Sequence, residues 1–226
     1  MRLLLVAATE GEVVPLIERL GPLAPHAPGL SRAHCAGHTV DLLVTGVGMV
    51  ATAARLARVL ARHDYDLVLN LGVCGAFDRS LPLGTVVQVT SDCLPELGVE
   101  DGPTFIPADA MGLVPADEPP FAGGRLVNDV PPSAPTLDAL PRVSGITVNT
   151  VHGDERTIAG VTSRLAPQVE TMEGAAVMYA CLTADLPFAQ VRAVSNYVER
   201  RNRAAWKMAE AIRALGDTTL ALLHEL

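Results

Sequence analysis

The chain has 226 residues, 49% of them hydrophobic and 19% charged, with a formal net charge of −8 at pH 7. That composition lies far from the disordered class, and the length is enough to bury one continuous core, so residues 1–226 are expected to form a single α/β domain. The acidic balance argues against a protein held on phosphate backbones or anionic lipid, which call for a basic surface, so neither nucleic acid nor membrane is expected as a partner. Arg2 precedes an apolar run, Leu3 to Ala8, but Glu10 and Glu12 arrive before a signal-peptide core of ~7–15 residues can form. Cys35, Cys74, Cys93 and Cys181 are widely separated and make no C-x-x-C pair, which suits reduced thiols better than a disulfide framework or zinc site. A cytoplasmic location is expected.

In chain order, Arg2 to Ala8 reads as a buried strand and Glu12 to Leu20 as a helix. A pair of strands is expected over Ser31 to Thr45, punctuated by Gly29 and Gly37, then a helix over Gly46 to Ala61 entered through a glycine turn. Leu67 to Leu71 is a short continuous apolar run, as in a strand covered on both faces, and Thr85 to Thr90 repeats that character. Between Pro95 and Pro141, which hold ten of the seventeen prolines, apolar periodicity fades; this segment is expected to form irregular loops over one end of the sheet. Regular structure resumes at Gly145 to Val151, with a helix at Thr171 to Ala184 and a strand at Phe188 to Val194. The last helix, from about Arg203 to Leu226, is expected to bury Ala205, Met208, Ala209, Ile212 and Leu215. Strands alternating with helices predict a parallel or mixed sheet covered on both faces.

Four stretches carry candidate chemistry. Gly46-Val47-Gly48-Met49-Val50-Ala51 matches G-x-G-x-x-A after a strand, which reads either as a dinucleotide site or as a tight strand-to-helix turn. Against the first reading, Glu10 and Glu12 follow the first strand, where carboxylates would repel a pyrophosphate. Leu71 to Ala76 ends the LVLNL strand with Gly72 and Gly75, which permit close backbone approach to a ligand or simply mark a turn needing positive φ. Val169 to Ala176 places a carboxylate, Glu173, beside Met172 before small residues, which reads as a candidate site group or simply as an exposed helix start. Val191 to Tyr197 ends an apolar strand in Ser195 and Asn196, where a reacting group is expected.

Taken in order, the strand to Glu12, TGVG (Thr45 to Gly48), LGVCGA, HGD (His152 to Asp154), MEG (Met172 to Gly174) and VRAVSN resemble the nucleoside phosphorylase/nucleosidase superfamily. The order is most similar to its methylthioadenosine/adenosylhomocysteine nucleosidase branch and, within that, to the futalosine hydrolase family. The resemblance implies a three-layer nucleoside phosphorylase/hydrolase-like fold with a central mixed, twisted sheet flanked by helices. It implies hydrolysis of the N-ribosidic bond of a purine nucleoside without metal or organic cofactor, in a homo-oligomer, a dimer or a tetramer of dimers.

On that pattern Glu12 positions and deprotonates water, while Glu173 grips the ribose hydroxyls and faces the developing oxocarbenium ion, with Met172 against the sugar. Arg192 orients the carboxylates or makes a structural ion pair. Where the branch carries Asp, this chain has Asn196, whose amide donates to a 6-oxo oxygen and accepts from N7–H, a complement to hypoxanthine rather than adenine. Phosphorylases place Ser or Thr in the glycine turn after the central strand; here Gly72 and Val73 offer no hydroxyl, which favours water. Trp206, ten residues after Asn196, lies either over the ligand or in the core. One of Arg200, Arg201 and Arg203 is a candidate clamp for a substrate carboxylate. The rivals are a methylthioadenosine/adenosylhomocysteine nucleosidase, an inosine-type phosphorylase and, from another class, an NAD-dependent oxidoreductase using Gly46 and Gly48.

Overall fold

A computed structural model describes residues 1–226. Thirteen strands run in chain order: β1 (Arg2–Ala7), β2 (Ala24–Ala27), β3 (Leu30–Cys35), β4 (His38–Val44), β5 (Leu67–Ala76), β6 (Val86–Asp92), β7 (Gly98–Asp101), β8 (Thr104–Pro107), β9 (Phe121–Ala122), β10 (Arg125–Val127), β11 (Arg142–Thr147), β12 (Val169–Thr171) and β13 (Phe188–Tyr197). Six helices accompany them: α1 (Val14–Leu20), α2 (Met49–Leu60), α3 (Pro135–Asp138), α4 (Glu155–Leu165), α5 (Gly174–Thr183) and α6 (Met208–Glu225).

The main sheet is mixed. Its order is β2-β3-β4-β1-β5-β12-β11-β6-β10-β9, and β13 pairs with both β5 and β6. Because β13 bridges those two, β5, β12, β11, β6 and β13 close into a ring of strands at the centre of the sheet. Strand β1 shows why helices cover both faces. Leu3, Leu5 and Ala7 join a core with Leu16 of α1 and Leu215 of α6, while Leu4 and Val6 join a second core with Leu56 of α2 and Met178 of α5. Alternate residues of one continuous apolar run therefore feed opposite layers. The expected three-layer arrangement is present, and no helix is long and apolar enough to cross a membrane.

Several expectations need correction. The central strand does not stop at Leu71 but runs through Ala76, and neither Gly72 nor Gly75 has a positive φ, so there is no glycine turn there. The Pro-rich segment is not all loop: β7 and β8 form a hairpin of their own, and β10 extends the main sheet by pairing with β6. The stretch read as a helix from Thr171 is β12 followed by α5, with Met172 and Glu173 in the junction. In α6 the buried stripe is Ala211, Leu215, Thr219 and Leu222, whereas Ala205 and Ala209 are exposed.

The start of α5 is held unusually tightly. Asp92 of β6 is fully buried, and burial pushes its carboxyl up to about 6. Its Oδ2 accepts from Thr147 Oγ1 at 3.0 Å, and that hydroxyl oxygen accepts the Ala175 N–H at 2.7 Å. Gly174 is required by this packing: a Cβ there would stand 2.5 Å from both Asp92 Oδ2 and Gln190 Nε2. Gly174→Ala is expected to destabilise the fold by about 1–3 kcal/mol through overpacking, read from urea unfolding; an unchanged midpoint would show that this junction has slack.

Candidate functional site

The carboxyl ends of β1, β4, β5 and β13 meet the β12–α5 junction around a cavity of about 690 Å³. Ligands of open α/β sheets bind at such strand ends. Of the eight site residues expected from sequence, Glu12, Val73, Met172, Glu173, Asn196 and Trp206 line this cavity. Gly72 and Arg192, expected at the substrate, do not; both are buried in the strands behind Glu12.

Glu12 ends a single 3-10 turn after β1, a shorter element than the expected helix start, and is half-buried. Its Oε2 accepts from the Thr9 N–H and hydroxyl, both at 3.1 Å, and its Oε1 accepts from the Val73 N–H at 3.1 Å. These bonds tie β1 to β5. Arg192 stands directly across from Gly72 in the parallel register of β13 and β5. It is 1% exposed, and its Nε and Nη2 have no hydrogen-bond partner. A Cβ at position 72 would overlap Arg192 Nη1 and stand 2.8 Å from Glu12 Oε1. The glycine is thus needed for close approach, not for a turn.

Glu173 is 6% exposed, and its Oε1 accepts the Gly48 N–H at 2.9 Å. Burial raises its carboxyl above the ordinary carboxylate range, against the opposing pull of Arg192 and the Gly48 N–H. Gly46 and Gly48, at φ +83° and +96°, form a tight strand-to-helix turn. With the Gly48 N–H already spent on a carboxylate, the dinucleotide reading of this motif loses its phosphate donor.

Asn196 follows a register shift in β13, where Val194 faces Cys74 but Asn196 faces Gly75. Such bulges re-aim side chains beside binding sites. Asn196 Oδ1 lies 2.9 Å from Ser195 Oγ, and Nδ2 donates to the Tyr197 carbonyl at 3.0 Å. Each end keeps one unused hydrogen-bonding position for a ligand. Cys74 is inert here, because burial pushes its thiol up to about 12.

Trp206 is half-buried and lines the cavity together with Met208 and Ile212. Arg201 lines the same space, with its guanidinium carbon 5.7 Å from the indole centroid. Arg200 instead borders a separate groove against α4, and Arg203 lines neither. Sequence reasoning passed over one buried pair: His152, in the HGD stretch, donates its backbone N–H to Glu170 Oε1 at 3.1 Å and meets Oε2 through Nδ1 at 2.7 Å.

Comparison with known proteins agrees with this architecture. The family model described as the phosphorylase superfamily matches residues 2–224. The futalosine hydrolase of Streptomyces coelicolor is 33% identical over 78% of this chain and 75% of its own, and that of Acidothermus cellulolyticus is 32% identical over 97% and 89%. The crystal structure of the 5′-methylthioadenosine/S-adenosylhomocysteine nucleosidase of Neisseria meningitidis, in complex with methylthio-immucillin-A, superposes with a TM-score of 0.81. That match has 18% identity and covers 100% of this chain and 99% of the other, which places the fold. The chain belongs to the phosphorylase superfamily and, within it, to the futalosine hydrolase family.

Gly72→Ala tests the packing behind Glu12. Displacing that carboxylate by even about 1 Å is expected to lower kcat/KM for nucleoside cleavage ~10²-fold while the circular dichroism stays native. Unchanged kinetics would show that Glu12 and Arg192 do not depend on the bare backbone at position 72.

Proposed function

We propose that the chain hydrolyses futalosine to hypoxanthine and dehypoxanthine futalosine, a step of menaquinone biosynthesis. The observation that carries this reading is the convergence of Glu12, Glu173 and Asn196 on one cavity, with Arg192 buried behind them. Breaking the N-ribosidic bond builds positive charge on the sugar and negative charge on the purine. Glu173, beside Met172, binds the ribose hydroxyls and faces the cationic ring. Glu12 takes a proton from water as its oxygen attacks C1′, and the bonding pair of C1′–N9 leaves with the base. Arg192 favours the ionised form of Glu173 electrostatically from behind.

Water is favoured over phosphate as the nucleophile. The Val73 N–H is already bonded to Glu12, and its side chain has no donor for an anion. For the base, the free hydrogen of Asn196 Nδ2 meets O6, and once a solvent proton reaches N7 of the departing anion, Oδ1 accepts the resulting N7–H of hypoxanthine. At the other end, Arg201 and Trp206 receive the substrate's 5′ benzoate, the arginine pairing with the carboxylate and the indole covering the ring. Arg201 is the arginine among the three that lines this cavity.

Residues 1–226 act as one domain, in the cytoplasm and as a homo-oligomer. A groove between α2 and α5 supports the last point, since Met49, Val50, Ala53, Ala176, Tyr179 and Ala180 give it an almost wholly apolar lining. Val50 is 81% exposed there, the kind of apolar surface that marks a protein interface. The groove adjoins the site, because Met49 follows Gly48 and Ala176 lies one turn past Glu173.

The test is a panel of hypoxanthine and adenine nucleosides, futalosine included, incubated with and without phosphate, with chromatography of base and sugar. Release of hypoxanthine and free sugar, independent of phosphate, is expected; a sugar 1-phosphate would move the chain to the phosphorylases. Asn196→Asp is expected to erode the hypoxanthine preference, which a site built around a buried hydrogen bond can hold at up to ~10⁴-fold. Equal cleavage of both bases by the wild type would remove the 6-oxopurine assignment.

A further inference from the structure

Only one of the two Glu12 oxygens takes the proton of the attacking water, and the hydrogen bonds around the two are unequal. A carboxylate has about four lone-pair sites. On Glu12 three of them are filled by the protein itself. Oε2 accepts from both the N–H and the hydroxyl of Thr9, each at 3.1 Å, whereas Oε1 accepts only from the Val73 N–H, also at 3.1 Å. Oε2 is therefore saturated. The remaining lone pair lies on Oε1.

Thr9 and Glu12 have the T-x-x-E spacing of a capping box, in which the carboxylate of the third helical residue accepts the N–H of the cap. As a structural device alone this box has little to stabilise, because the turn it opens is three residues long, Glu10–Glu12, with no buried residue. Both Thr9 and Glu12 line the cavity instead. The Thr9 hydroxyl also donates to the oxygen that the Thr9 N–H already holds, a bond that capping does not call for. That second donor matters because the last torsion of a glutamate is broad and roughly two-fold, so the plane of its carboxylate is set by whatever bonds it. Thr9 is a stiff donor: its Cβ is branched, and its backbone is extended at φ −135° and ψ 151°. Two bonds from Thr9 on one oxygen and one from β5 on the other fix the plane at both ends.

We infer that Thr9 is a positioning residue for the reaction: its hydroxyl occupies the last acceptor site of Oε2, so that the proton of the attacking water goes to Oε1. The inference rests on the hydrolytic reading of this cavity, with Glu12 as the base. In that step one O–H bond of water breaks, its proton joins Oε1, and its electron pair stays on the oxygen that bonds C1′. The C1′–N9 pair leaves with the purine. Thr9 keeps its own proton throughout and touches no reacting atom. Without the hydroxyl, Oε2 regains a free lone pair and the carboxylate turns about its terminal torsion, holding neither oxygen steadily toward the water.

The test compares Thr9→Val with Thr9→Ser, in single-turnover cleavage of the nucleoside that the wild type hydrolyses and in equilibrium affinity for it. Valine keeps the branched shape and the backbone N–H but loses the hydroxyl; serine restores it. Thr9→Val is expected to slow cleavage ~10–100-fold, the scale of one hydrogen bond to a charged group, with affinity unchanged. Thr9→Ser should cleave at close to the wild-type rate. Because Thr9 acts through Glu12, adding Thr9→Val to Glu12→Gln should cause no further loss, a non-additivity that general damage to the fold would not produce. An unchanged rate in Thr9→Val, an equal loss in Thr9→Ser, a loss carried by affinity, or the same loss in both backgrounds would overturn the inference while leaving the hydrolytic reading intact. A wild type that cleaves no nucleoside of the panel would overturn both. Should Thr9→Val fail to fold, Thr9→Ala carries the same comparison.

Discussion

The whole site hangs on one buried cation. Arg192 lies at the centre of the strand ring with two of its nitrogens unpartnered, which is costly for a charge removed from water. Its presence has consequences at every neighbouring position. Residue 72 has no room for a side chain, because the guanidinium occupies that space. Glu12 reaches the same spot from β1 and is held by a backbone amide of β5, which joins two strands through a side chain. Glu173, whose burial alone favours the neutral acid, is drawn back toward ionisation by the same charge.

The closed ring of strands supplies the rigidity that this arrangement needs. Because β13 pairs with both β5 and β6, Arg192 is flanked by a strand on each side, while Asn196, beyond the last β6 pair at Ala193, is held by β5. The register shift before Asn196 lets one strand bury Arg192 behind the cavity while turning the amide into it. On the opposite wall, Asp92, Thr147 and Gly174 anchor the first turn of α5, and so the junction from which Glu173 projects. The side chains of the candidate site thus come from strand ends and helix starts, with the loops serving mainly to complete the walls.

Much of this was legible in the sequence where an apolar pattern was long and unambiguous. The runs Leu3 to Ala7 and Leu67 to Leu71 announced their strands, and the order of short motifs picked out Glu12, Glu173 and Asn196, which do share one cavity. Glycine was the main source of error. Gly72 and Gly75 read as a turn because their local signal is the same as that of a turn, whereas the reason for both is a side chain approaching from a neighbouring strand. Strand β12 has only three residues and no alternation to reveal it. The Glu170–His152 pair is separated by 18 residues and by helix α4, so nothing in the local pattern marks it. Arg192 and Gly72 were expected at the site but do not line the cavity; that they stand behind Glu12 follows only from the pairing of β13 with β5.

The central claim is that Glu12, held between Thr9 and Val73 and backed by Arg192, activates the attacking water. The most direct measurement is single-turnover cleavage of futalosine by Glu12→Gln, alongside its equilibrium affinity for the same nucleoside. Loss of a general base lowers the rate ~10²–10⁴-fold, while the ribose and base contacts remain, so cleavage should nearly vanish with affinity almost unchanged. Cleavage at close to the wild-type rate would contradict the account.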